Sequence, residues 1–304
     1  MTREKKIKDR MESIANTRKI TGAMGMVASS RIKAAQKRMM ESRPFIRMVE
    51  DFICNLGLTG PMQRDRLVKK RDQENTILIL AITADKGLCG AYNSNIIERV
   101  EKTREKFLQQ GKKVDLDIIG TRGKSYFAYQ GYALNKVYEH LSYWPKFMDA
   151  REISRNLISR YVVQEADRVL VCYTQYRSAV SHRPALTQIL PIPIAQKLSE
   201  REEGVGYADP FACKPRDLPR EFAYEPSLEE IIRAIIPEYI FTVLYGMLLE
   251  STASEIGSRV LAMQNANENS KQLTRSLTKE YHVLRQQQIT SEIMEVVSGG
   301  QAGE

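Results

Sequence analysis

Three rhythms of apolar and polar positions divide the chain. From Ile7 the apolar positions step alternately by four and three through Met11, Ile14, Arg18, Thr21, Gly25, Ala28, Ile32, Ala35, Met39, Ser42, Ile46, Val49 and Ile53 to Leu56. This is the heptad seam of a coiled-coil helix, with small or polar residues filling its centre. Pro44 predicts a kink or a local break, and Gly57 with Gly60-Pro61 marks the stop. The same stepping returns near the end as Ile256, Val260, Met263, Asn267, Ser270, Thr274, Leu277, Tyr281, Leu284 and Gln288. This second helix is predicted to start after Ser227 as its N-cap, with Glu229-Glu230 in the first turn and a second kink at Pro237.

Between them the period changes. Residues 76–83, TILILAIT, form the continuous apolar run of a strand buried on both faces. Helix is predicted for Asn93–Gln110, Arg122–Gln130 and Asp149–Val163, and strand for Val114–Ile119, Arg168–Thr174 and Leu186–Ile194. Strands alternating with helices imply a small Rossmann-like layered sheet. The fold class is therefore α/β, a long antiparallel coiled coil of the terminal helices plus a Rossmann-like domain. The expected division is a coiled-coil helix over 1–57, the α/β domain over 74–197, a charged irregular surface loop over 198–226 and a second coiled-coil helix over 227–304.

Charge explains why the two ends should pair. Residues 1–43 hold twelve Lys/Arg against four acids, whereas residues 227–304 hold six against ten, so +8 faces −4. Either helix alone exposes an apolar stripe; pairing them antiparallel buries both seams and opposes their charges. Two separate helices laid on a globular core are disfavoured by length, since about 60 residues span on the order of 90 Å. No window is read as long enough to span a membrane. The N-terminus lacks the apolar stretch of a secretory signal. Cys54, Cys89, Cys172 and Cys213 are scattered without a CxxC, which predicts reduced thiols and no zinc site.

The middle segment offers little chemistry. Gly120-Thr121-Arg122-Gly123-Lys124-Ser125 follows a strand and opens a helix, but a phosphate loop needs a glycine where Ile118 stands. The GLCG turn at 87–90 lacks GxGxxG. Asp85-Lys86 reads as a solvated charged pair, and His140, His182 and His282 lie on different segments. No acid, base and nucleophile assemble, so no catalytic residue, cofactor or metal is expected. A basic coiled-coil protein binding nucleic acid is the alternative, but residues 1–43 contain no Phe, Tyr or Trp to stack on bases.

Two stretches do not fit a solvated coil. Ile20 to Ser30 is eleven residues without a charge between Arg18-Lys19 and Arg31, and ITSEIMEVVSGG at 289–300 is more apolar than a free chain end. A helix uncharged all round is normally enclosed by something.

NTRKITGAMGMVASSRIKAAQKRM, ITADKGLCGAYNSNI, LYGMLLESTASEIGSRVLAMQNANENSKQL and YHVLRQQQITSEIMEVVSG resemble, in order, the γ subunits of F-type ATP synthases. Residues from about 135 to 222 match weakly. The resemblance implies a non-catalytic rotor subunit, one copy per complex, whose coiled-coil shaft stands inside three α and three β subunits. Its α/β domain would rest on the membrane c ring and hold the ε subunit, on the cytoplasmic side of a bacterial plasma membrane, with no nucleic-acid partner. It further implies that Ile20, Met24 and Val27 on the first helix, and Ile293 and Val297 on the second, are enclosed by the head. By the same resemblance Met24 faces the acidic lever of β, Arg259 lies near that level, and Arg285, Gln286, Thr290 and Glu292 engage the β catch region. Gly22 and Gly25 depart from the family, which commonly has charged residues there.

Overall fold

The computed structural model describes residues 3–56, 59–141, 143–178, 181–193 and 225–301, with side chains as far as Met294. The expected loop at 198–226 lies outside the described residues up to 224. The chain divides into two compact units, one of Met1–Ser30 with Arg259–Glu304 and one of Arg31–Ser258. The long helices contribute to both.

Helix α1 runs from Arg3 to Leu56 and stays helical through Pro44, so no break forms there. It stops one residue before Gly57. Helix α6 runs from Leu228 to Gln301, through Pro237. Ser227 caps it as expected, its hydroxyl accepting from the Glu230 amide at 3.3 Å. Of the fifteen seam positions on α1, all but Arg18 are buried or half-buried; on α6 all but Gln288 are.

In the first unit the two helices pair antiparallel. Arg18 Nε donates to Asn267 Oδ1 at 3.2 Å, Arg3 meets Glu280 at 3.7 Å, and a Cβ on Gly25 would lie 3.4 Å from that of Met263. This register puts buried Ile7 level with buried Leu277. Gly25 thus serves the seam, whereas a Cβ on Gly22 would meet nothing within 4 Å. Gly22→Ala is therefore expected to stabilise this unit by about 1 kcal/mol, the helix cost of glycine, raising its melting temperature followed by circular dichroism.

The second unit is built on a five-stranded sheet of order β3-β2-β1-β4-β5, from β1 (Thr76–Ile82), β2 (Lys113–Ile119), β3 (Lys136–Tyr138), β4 (Arg168–Tyr176) and β5 (His182–Leu190). The first four are parallel and β5 is antiparallel to β4. β1 is central, and its alternate residues explain the apolar run. Ile77, Ile79 and Ala81 pack with α3 (Tyr92–Gln109) and α4 (Thr121–Tyr129), through Ile96, Val100 and Phe127. Leu78, Leu80 and Ile82 pack on the other face with α5 (Phe147–Val162) and with Ile53 of α1 and Leu244 and Met247 of α6.

Four expectations are corrected. β5 spans His182–Leu190 rather than Leu186–Ile194, because its ladder begins where Tyr176 faces His182; as an edge strand it tolerates Pro184. β3 and the short α2 (Gly60–Arg64) escaped the sequence, being three and five residues long. Cys89 and Cys172 are free buried thiols, but Cys54 is disulfide-bonded rather than reduced. Leu228–Met294 is, by length and composition, apolar enough to cross a membrane, with a window of mean hydropathy 1.5. Of that window 61% is buried within the protein, so its apolarity is accounted for by the core against which α6 packs.

His182 opens β5 with its Nε2 2.6 Å from the Ser258 hydroxyl, while its Nδ1 is buried without a partner. Burial holds the imidazole below its ordinary pKa. The folded state therefore resists protonation, and the stability this site contributes is present above about pH 6.5 and lost as pH falls below it. Thermal melts from pH 7.5 to 5 should fall less steeply for His182→Gln than for the wild type.

Candidate functional site: an exposed apolar collar and tip on the paired helices

A Rossmann-like sheet normally takes its ligand beyond the carboxyl ends of the strands, where the strand order reverses. Here that point lies between β1 and β4, and the chain fills it itself. Tyr92, 2% exposed, packs with Ala84 and Cys89 and points its hydroxyl at the Ile82 carbonyl, 3.4 Å away. Burial, with Glu255 and Cys89 nearby, holds its phenol protonated far above the usual range.

The neighbouring phosphate position is occupied too. Asp85 is not a solvated turn residue: its Oδ1 accepts from the Thr121 amide at 3.1 Å and hydroxyl at 3.2 Å, and from the His140 amide at 3.1 Å. A carboxylate thus sits at the N-terminus of α4, where an anion would otherwise bind. Below it Thr83 Oγ1 donates to the Ile119 carbonyl at 2.7 Å and accepts from the Gly123 amide at 3.0 Å. Gly120, at φ +98, and Gly123 are required here, since a Cβ on either would come within 2.3 and 2.6 Å of Thr83 oxygens.

A groove of about 190 Å³ between α1 and α6, lined by Met39, Arg43, Ile46 and Glu250 among others, is smaller than ordinary ligand pockets of roughly 300–1,000 Å³. Among the described residues no three His, Cys, Asp or Glu gather to hold a metal.

What the molecule does expose is apolar surface on the first unit. Ile20, Met26 and Val27 are 61%, 71% and 49% exposed, within a stretch that carries no charge. Met24 is half-buried between them. On α6, Ile289, Ile293 and Met294 are all exposed, as are Arg285, Gln286, Thr290 and Glu292. Arg3, the first described residue of α1, lies opposite Glu280, and every described side chain of α6 after Leu284 is exposed. Thr290 back-bonds to the Gln286 carbonyl at 2.8 Å, and Gln288 donates to Glu292 at 3.0 Å. The side chain of Val297 lies outside the described residues. Arg259 differs from the rest, being only 6% exposed.

The site residues named from the sequence leave out Met26 and Met294, although Met26 lies inside the uncharged collar and Met294 inside the apolar stretch at 289–300. Sequence reasoning also missed a buried polar run on α6, Glu250 to Arg259, in which Ser251, Thr252, Ser254, Glu255 and Ser258 are all 5% exposed or less. A run of Ser, Thr and Glu predicts a solvated face; only its packing shows otherwise.

Comparison with known proteins follows the same lines. Residues 3–302 match the ATP synthase family. The chain is 36% identical over 318 residues to the ATP synthase gamma chain of Prochlorococcus marinus (strain MIT 9303), covering 98% of this chain and 99% of that one. It is 34% identical over 296 residues to the gamma chain of Alkaliphilus metalliredigens (strain QYMF), covering 97% of each. Among solved structures, a chain of the Tetrahymena thermophila mitochondrial ATP synthase central stalk and c ring superposes with a TM-score of 0.60 at 25% identity, over 81% of this chain and 99% of that one. A chain of the Euglena gracilis mitochondrial ATP synthase has the same fold, with a TM-score of 0.66 at 14% identity over 98% and 94%. The exposed collar and tip on an antiparallel coil, the self-filled sheet and the full-length matches agree: the chain belongs to the ATP synthase gamma-chain family.

Proposed function

We propose that this chain is the central-stalk rotor of an F-type ATP synthase, present once per complex and without a catalytic site of its own. It couples ion-driven rotation of a membrane c ring to ATP synthesis or hydrolysis on surrounding β subunits. The observation that carries this reading is the pair of exposed apolar surfaces on the coil, the uncharged collar at 20–30 and the tip at 289–294, where Glu292 is the one charge. A sleeve of three α and three β subunits would cover them, and a charge in the collar would be desolvated without a fixed partner at each step of rotation. Ile20, Met24, Val27, Arg285, Gln286, Thr290, Glu292, Ile293 and Val297 would face that sleeve, while buried Arg259 would act by holding the coil in register.

The mechanism is mechanical. One asymmetric chain inside a near-threefold ring cannot touch three β subunits alike, so each catalytic site is biased to a different affinity, and rotation exchanges those biases. The paired helices would form the shaft and the sheet unit the foot, resting on the c ring and holding an ε subunit at the cytoplasmic face of a bacterial plasma membrane.

The test is to combine this chain with the α and β subunits encoded by the same genome. Native mass spectrometry should give three α, three β and one copy of this chain, with MgATP hydrolysis that depends on it and drops when the chain ends before Ile289. A chain that stays alone and leaves hydrolysis unchanged would overturn the reading.

A further inference from the structure

The buried polar run on α6 has a definite object. β1 pairs with β4 only from Arg168 to Cys172, whereas β5 pairs with β4 as far as Tyr176. Beyond Cys172 the β1-side edge of β4 has no strand beside it, and side chains of α6 take that edge. The Thr174 amide donates to Ser251 Oγ at 3.3 Å, Ser254 Oγ donates back to the Thr174 carbonyl at 3.3 Å, and the Tyr176 amide donates to Glu250 Oε2 at 3.3 Å. The other oxygen of Glu250 accepts from Arg43 of α1 at 3.3 Å, and Gln36 of α1 donates to the Tyr176 hydroxyl at 2.6 Å. Glu250 therefore joins α1, α6 and β4 at one node.

Apolar packing alone would hold α6 against the sheet, as it does at Leu244 and Met247. The hydrophobic drive behind such packing is non-directional. Bonds to the backbone of an extended strand are different, because donors and acceptors repeat at fixed spacing and a slipped helix leaves buried groups unpaired. Serine also lets the helix approach the strand backbone closely, which a larger side chain would prevent.

We infer that Glu250, Ser251 and Ser254 form a clasp on the open edge of β4 that keys the long helices to the sheet and carries torque between them. The inference rests on the rotor reading above. These are positioning residues: none of them faces the collar or the tip.

The experiment uses the whole ATP synthase in lipid vesicles, reading MgATP hydrolysis and the membrane potential built by ion pumping in the same preparation. Ser251→Ala/Ser254→Ala should assemble and hydrolyse ATP at the wild-type rate when an ionophore removes the load. Ion pumping per ATP should fall about threefold or more, since each lost buried hydrogen bond shifts a two-state balance several-fold. Ser154→Ala is the matched control, because that buried hydroxyl bonds only within its own helix, to the Ala150 carbonyl at 2.7 Å; it should pump as the wild type does. If the double variant fails to assemble, Ser254→Ala alone, which removes one bond, carries the same expectation. Pumping per ATP equal to the wild type in an assembled clasp variant overturns the inference. Hydrolysis and pumping indifferent to the presence of this chain would instead overturn the rotor reading.

Discussion

Replacing Arg160 by methionine should cost the sheet unit about 3–5 kcal/mol, the penalty for leaving buried charge uncompensated. Arg160 of α5 is 8% exposed and its guanidinium is fully engaged. One nitrogen donates to both oxygens of Asp117 at 3.0 Å, a second to Asp115 at 3.1 Å, and Nε lies 3.4 Å from Glu165. Asp115 and Asp117 lie on the α5 side of β2, while Leu116 and Ile118 fill the opposite face with α3 and α4. Burial pushes the Asp117 carboxyl up, and Arg160 opposes it; without the arginine the carboxyl rises further and takes a proton at higher pH. The variant should therefore regain part of its lost stability as pH is lowered towards 5, opposite in sign to the His182 effect. Chemical denaturation at pH 7.5 and 5.5 measures both. A loss under about 1 kcal/mol at pH 7.5 would show that the guanidinium is not needed to hold the two carboxylates.

The second large effect is expected on assembly rather than on folding. Ile20→Asp/Val27→Asp places two charges on surface that is already 61% and 49% exposed in the isolated chain. Melting of the chain itself should shift by no more than about 0.5 kcal/mol, as for other surface substitutions. Association with the α and β subunits should weaken by at least about 100-fold, because an uncompensated charge buried at an interface costs on the order of 3 kcal/mol. Titration of the labelled chain into an equimolar mixture of the two subunits reads this directly. Unchanged affinity would mean that the collar is not enclosed by the head.

The two substitutions differ because the chain uses apolar surface in two ways. In the sheet unit, every alternate residue of β1 is committed to one of two packed faces. In the coil unit, one stripe is committed to pairing and the opposite side of the same helix remains apolar and open at Ile20, Met26 and Val27. An apolar patch that the fold leaves exposed marks a surface kept for another molecule.

Much of this was legible in the amino-acid sequence, and for a local reason. The four-three stepping from Ile7 to Leu56, the cap at Ser227 and the doubly buried strand at 76–82 depend on neighbours within a turn or two, so periodicity alone determined them. The uncharged collar was legible for the same reason, since charge is counted along the chain. What tertiary structure decided was where polar groups find partners across long separations. Asp85 became the cap of a helix 36 residues away, Arg160 met Asp117 across 43, and Ser251 reached the edge of β4 across 77. β5 began at His182 because its partner strand, not its own composition, set the ladder. Burial of apolar groups follows from the pattern of one segment, whereas a buried polar group is stable only with a specific partner, and that partner is chosen by the fold.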